Sequence, residues 1–390
     1  MPGLTNHRRG CLFLDIIRLG KNIWLRPGLW DPGCRTRTPE LQAPSTRGAR
    51  MAQYFLERER IVDFVAHLMG QMPVYAPHRK GQKSFAFARA EAAGDVVLDY
   101  SRTMHSVKKF FLPPREELLS FDITQNVAEL SEPQPSDAVF LGVHSYDLAA
   151  VHRLDYNFSE GNAERNYLTR RRGAVFVGVS FEPDQWHFSG SLGIEANDTT
   201  GSDIFLTKLM DGYVVEAFTP AGEKLLTGFD LPPHEAGKPA APHFQQHIYV
   251  PQARLGDVMN ASYDHPVWQE TTEKCVGCGT CNLVCPTCYC FNVEENVDIT
   301  ATKGNRERSW DGCMLRSFTE VAGGEIFRED LAARQRHRVF RKFKYISDVT
   351  GEPWCVGCGR CTASCTAGIS IVNIVNRLVG DAERTVVAPV

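Results

Sequence analysis

Two four-cysteine runs constrain this chain more than anything else in it. The first is Cys275, Cys278, Cys281 and Cys285, with two, two and three residues between them and Pro286 directly after. The second repeats that spacing at Cys355, Cys358, Cys361 and Cys365. Three thiolates two residues apart can wrap one face of a small cubane, each binding a different iron. The fourth cysteine of such a run opens a short helix that leads to the other cubane. The spacing therefore assigns one [4Fe-4S] cluster to Cys275, Cys278, Cys281 and Cys365. The other falls to Cys355, Cys358, Cys361 and Cys285. A structural zinc site needs four ligands in total, and the two runs supply twice that. The glycines between the cysteines, Gly277, Gly279, Gly357 and Gly359, let the backbone turn tightly and aim N–H groups at sulfur. A buried cluster anion requires those hydrogen bonds. Thr366 stands where proline often follows the fourth cysteine, a position that binds nothing.

Of 13 cysteines, 11 lie after residue 274. The odd total and the clustering argue against a secreted disulfide framework. Thiolates kept for metal need a reducing compartment, which points to the cytoplasm. Cys288, Cys290 and Cys313 fall outside both runs and read as buried thiols packed around the clusters, since three ligands are one short of a closed site. The 69 residues between Cys285 and Cys355 are long for a ferredoxin. They hold a basic stretch, Arg334, Arg336, Arg338, Arg341, Lys342 and Lys344. It reads either as a solvated helix face or as a docking surface for an acidic partner.

The formal net charge of -3 over 390 residues carries no basic excess that would suggest nucleic acid. The longest apolar runs, such as Ala138–Val143, are strand-sized and far below the roughly 18 residues of a membrane span. The expected class is α+β. Residues 1–51 form an extension, disordered or preceding the true start, rich in arginine. Residues 52–255 form a mixed α/β domain, and residues 256–380 a dicluster ferredoxin-like domain with an insertion at 291–350. Apolar spacing predicts a helix over 52–70. Strands are expected at Val96–Leu98, Ala138–Val143, Ala174–Val179 and Tyr213–Val215, with Leu225-Leu226 in a later strand region. Asp147–Val151 looks helical, and 231–243 is a loop. His78, His105, His144, His152 and His187 lie among non-ligand neighbours. No G-x-G-x-x-G after a strand and no Walker A motif is present.

The run CVGCGTCNLVCPTCYCFNV, then WDGCM, the arginine-rich stretch and CVGCGRC, together with upstream RTMHSVKKFFLPPRE and LGVHSYDLAAVHRLD, resembles a known family. It is similar to the dicluster iron-sulfur subunits of cytosolic sulfhydrogenases (the beta subunit of NAD(P)-linked nickel-iron hydrogenases) and of anaerobic sulfite reductase. The likeness spans about residues 52–378. It implies an electron-transfer subunit that sits between a flavin subunit handling NAD(P)H and a hydrogenase-like or sulfite-reductase-like catalytic subunit. The eight cysteines match the family's cluster ligands one by one. The chain departs upstream: Tyr146 stands where family members often carry cysteine, and residues 181–193 hold Ser189 and Ser191 but no cysteine. A self-contained iron-sulfur oxidoreductase, with a substrate or flavin site in the N-terminal domain, is the alternative reading.

Overall fold

A computed structural model describes residues 52–387 apart from 236 and 238. The expected extension at 1–51 lies outside the described residues. The strands are, in chain order, β1 Gln53–Glu57, β2 Val74–Arg79, β3 Phe85–Arg89, β4 Arg115–Asp122, β5 Val127–Leu130, β6 Ala138–Val143, β7 Ala174–Val179, β8 Ile204–Lys208, β9 Gly212–Ala217, β10 Phe291–Val297 and β11 Lys303–Trp310. Seven of them form a mixed sheet in the order β1-β9-β8-β7-β6-β2-β3. The β2-β6, β6-β7 and β7-β8 pairs are parallel and the rest antiparallel.

The period of two sorts the side chains of this sheet. Val139, Leu141, Val175, Val177, Ile204 and Leu206 share one core with Phe64, Val65 and Leu68 of the helix Ile61–Gln71. The alternate residues Ala138, Phe140, Phe176 and Phe205 share the opposite core with Leu148, Val151, Leu154 and Phe158 of the helix Ser145–Ser159. With both faces covered, β6 and β7 are continuous apolar runs, as central parallel strands are. Each such side chain contributes about 1.5–3 kcal/mol by leaving water.

Three local expectations change. Tyr54-Phe55-Leu56 is not helical; it pairs with β9 from Gln53↔Glu216 to Glu57↔Gly212, so a sheet edge overrides the apolar spacing and the helix starts only at Ile61. Val96–Leu98 forms no strand; Val97 N donates to Pro77 O, and Leu98 packs into the core against the sheet instead of pairing with it. Leu225-Leu226 ends a helix, Pro220–Leu226. Thr219 caps that helix by accepting from Gly222 N, and Pro220 fits its first turn.

The remaining strands form a second sheet, β10-β11-β4-β5, all antiparallel. It joins the segment between the two cysteine runs to residues 115–130. At its base the buried Arg308 meets the buried Glu116, which Arg170 also holds at 2.6 Å. A third core surrounds the cysteines. In it Trp268, Val339, Phe340 and Phe343 pack with Ile371, Ile374, Val375 and Leu378 of the last helix, Ile371–Val387. Among the described residues no helix is long and apolar enough to cross a membrane.

Candidate metal centre

The two cysteine runs fold alike. Gly277 and Gly357 both adopt φ 66°, and Gly279 and Gly359 adopt φ 72° and 69°. Each second glycine precedes a one-turn helix, Thr280–Leu283 or Arg360–Ala363. Gly357 and Gly359 have a further reason to lack a side chain. A Cβ on Gly357 would lie 2.4 Å from Ser189 Cα, and one on Gly359 would lie 2.5 Å from Trp186 O. The second run is thus pressed against segment 186–189 of the α/β region, and Phe188 N donates to Gly357 O at 2.9 Å. Arg360 fixes the same junction. Fully buried, it donates to both carboxylate oxygens of the buried Asp147 at 2.7 Å and to Thr103 O at 2.8 Å.

One cavity is walled by Cys275, Cys278, Cys281 and Cys365. A second is walled by Cys285, Cys355, Cys358 and Cys361. Each run therefore sends its fourth cysteine to the cavity of the other run. Cys361 and Arg338 border both. Cys278 is exposed beside the exposed Val276, whereas Cys358 is buried.

The charge around these cavities is one-sided. The helix Leu331–Phe340 and the turns after it place Arg334, Arg338 and Lys342 four residues apart on one inward stripe, all buried. The basic stretch is therefore neither a solvated face nor a wholly exposed docking surface. Arg338 Nη2 reaches Cys281 O at 3.4 Å. Lys342 Nζ donates to Thr287 Oγ1 at 2.8 Å, and that hydroxyl lies 3.5 Å from Cys285 Sγ. Lys108, also buried, donates to Cys285 O and Cys288 O at 3.1 and 2.9 Å. Among the described residues none of the three has a carboxylate partner, and a buried cation needs an anion. Burial opposes the charge on Arg338 and Lys342, yet the surrounding cysteine sulfurs hold both above their usual ranges. Burial pushes Lys108 down to about 8. The same burial pushes the thiols of Cys281, Cys355 and Cys358 up to about 12. A metal held by these sulfurs would displace their protons.

Eight sulfurs, three unpaired buried cations and donors at sulfur fit anionic iron-sulfur clusters. They do not fit zinc: among the described residues no three His, Cys, Asp or Glu side chains close round a single ion. The 11 described cysteines are all free of disulfides.

The sequence singled out the eight cysteines and the basic stretch, but not the inward placement of Arg338 and Lys342 beside those cysteines. The spacing Arg334, Arg338, Lys342 is the signal that could have found it. The departures from the resemblance are filled by satisfied polar groups. Tyr146 OH sits 2.6 Å from His144 Nδ1, beneath the Arg360 guanidinium. Ser189 Oγ donates to Ile194 O, and Ser191 Oγ accepts from Ile248 N. Cys288, Cys290 and Cys313 stand together on a separate cleft.

The profile of the 4Fe-4S dicluster domain family matches residues 274–369. The chain is also similar to sulfhydrogenase 2 subunit beta of Pyrococcus furiosus, 33% identical over 336 residues, which cover 83% of this chain and 97% of that protein. No solved structure matches.

Proposed function

Because this chain belongs to the family of the sulfhydrogenase beta subunit, we propose that it is the iron-sulfur electron-transfer subunit of a cytoplasmic oxidoreductase complex. It relays single electrons between a flavin subunit that handles NAD(P)H and a hydrogenase-like or sulfite-reductase-like catalytic subunit. The observation that carries this reading is the pair of adjoining four-cysteine cavities, whose common wall is Cys361, Arg338 and Ile371. Cys275, Cys278, Cys281 and Cys365 would hold one [4Fe-4S] cluster, and Cys355, Cys358, Cys361 and Cys285 the other. Bound there, the clusters supply two one-electron centres.

The protein's own side chains give the pair a direction. Of the two cavities Lys342 lines only the second, Lys108 donates to the backbone of Cys285 beside it, and Arg338 lines both. Positive charge favours the more negative, reduced state, so the second site retains an electron more readily. The exposed edge at Val276 and Cys278 gives the first site contact with the surface, where a partner's redox group can approach. The second site faces the interior, held by Arg360 and Asp147.

The experiment uses the full chain, purified anaerobically. A strong low-potential chemical reductant should bleach its visible absorbance, and NADPH should not until a flavin subunit is added. A nicotinamide delivers a hydride, and a flavin must split that electron pair before a one-electron centre can accept it. Rapid bleaching of the lone chain by NADPH, with stoichiometric flavin bound, would replace this reading with a self-contained enzyme.

A further inference from the structure

Cys288, Cys290 and Cys313 take no part in the relay described above, yet the fold gathers them. Phe291 pairs with Trp310 across β10 and β11. That register sets Cys290, just before one strand, against Asp311, just after the other, and Asp311 N donates to Cys290 O at 3.1 Å. Cys313 follows two residues later. The hairpin thereby returns a distant cysteine to the end of the first run.

Asn282, itself buried, donates Nδ2 to Cys288 Sγ at 3.6 Å and to Cys313 Sγ at 3.4 Å. Gly312 makes room for it, because a Cβ there would lie 2.6 Å from Asn282 Cβ. Lys108 Nζ donates to both Cys285 O and Cys288 O, and Lys342 lines both the second cavity and the cleft that the trio borders, so the trio adjoins the second cavity.

All three cysteines line a cleft of about 1000 Å³. Five cations line it too, among them Arg328, Arg341 and Lys342, and no carboxylate does. The Nε atoms of Arg328 and Arg338 are buried there without a hydrogen-bond partner. Asp311, beside Cys290, turns Oδ1 back to Gly312 N at 2.6 Å. A thiol core packed for stability alone would leave no such space and would not collect unpaired cations. The two four-cysteine cavities likewise gather thiols beside buried cations, Arg338 at both and Lys342 at the second. Among the described residues the trio does not close round a single ion, and the cations lining the cleft favour an anionic occupant.

We propose that Cys288, Cys290 and Cys313 form a third iron-sulfur site, which holds a cubane by three thiolates and leaves its fourth iron open to the cleft. The open iron faces space for a small anionic or thiolate ligand, which the surrounding cations would favour. The assignment rests on the proposed relay only for its neighbour, the second site, from which the third would exchange electrons.

The test counts iron and acid-labile sulfide in the full chain after anaerobic reconstitution. Three cubanes give about twelve of each, and the Cys288→Ser/Cys290→Ser/Cys313→Ser variant should fall to about eight. The wild-type count decides the matter even if the variant fails to fold. A wild-type value near eight overturns the third site and leaves the relay intact, while a value near four overturns both. A count of about twelve that the triple variant keeps also overturns the assignment. Cyanide added to the reduced wild-type chain should change the electron paramagnetic resonance of one centre, as a ligand on an open iron does; an unchanged spectrum overturns the open position.

Discussion

Lys342 Nζ lies 2.8 Å from Thr287 Oγ1, and both side chains are buried. That hydroxyl stands beside the Cys285 thiol, so a full positive charge is held one hydroxyl group away from a proposed cluster ligand. No carboxylate offsets it among the described residues. Lys342→Met should therefore lower the reduction potential of the second cluster and leave the first nearly unchanged, whereas Lys342→Arg should keep both. A unit charge at about 6 Å in an effective dielectric of about 20 contributes roughly 3 kcal/mol, a drop on the order of 100 mV. Potentiometric titration followed by electron paramagnetic resonance reads this directly. Equal shifts in both clusters would contradict the one-sided placement of Lys342.

The two four-cysteine sets that wall the cavities were legible in the sequence because their spacing repeats. β6 and β7 were legible because burial on both faces leaves continuous apolar runs. The inward cations were not. Arg334, Arg338 and Lys342 continue a helical stripe whose charged residues would ordinarily face water; Arg338 and Lys342 turn in to the cysteine cavities, and Arg334 to the carbonyls of Met314 and Glu329. Tyr54–Leu56 misled for a related reason: β9, more than 150 residues away, supplies the strand pairing, and local spacing carries no trace of it. The role of the segment between the cysteine runs was also hidden, since the register Phe291↔Trp310 returns Cys313 to Cys290 only in three dimensions.

Arg360 and Asp147 join the second cysteine run to the α/β region, with both side chains inaccessible. Removing one partner strands a buried charge. Asp147→Asn or Arg360→Met should each destabilise the chain by about 3–5 kcal/mol. Arg360→Met/Asp147→Leu should recover part of that loss, because no charge remains unpaired. Thermal or denaturant unfolding of the reconstituted proteins checks this; a double variant weaker than the sum of the single ones would contradict the pairing.

His337 lies among Arg328 and Arg341, and burial together with those cations lowers its pKa to about 4. The unfolded chain binds the proton near the usual value of about 6.5. Between those limits the unfolded state carries more protons, so stability rises with pH. The contribution is full above about 6.5 and is lost as pH falls toward about 4, at up to roughly 1.4 kcal/mol per unit for one group. His337→Gln should flatten the pH dependence of unfolding between pH 5 and 7. An unchanged slope would show that His337 is not the group that titrates there.

The crossed pairing of the two runs is the feature on which the relay rests, and single cysteine variants test it most directly. Electron paramagnetic resonance of the reduced Cys285→Ala, Cys355→Ala and Cys278→Ala chains would show which cluster each substitution damages. The account predicts that Cys285→Ala and Cys355→Ala leave the same residual spectrum, and that Cys278→Ala leaves the complementary one. If Cys285→Ala instead matches Cys278→Ala, each run binds its own cluster and the crossed assignment is wrong.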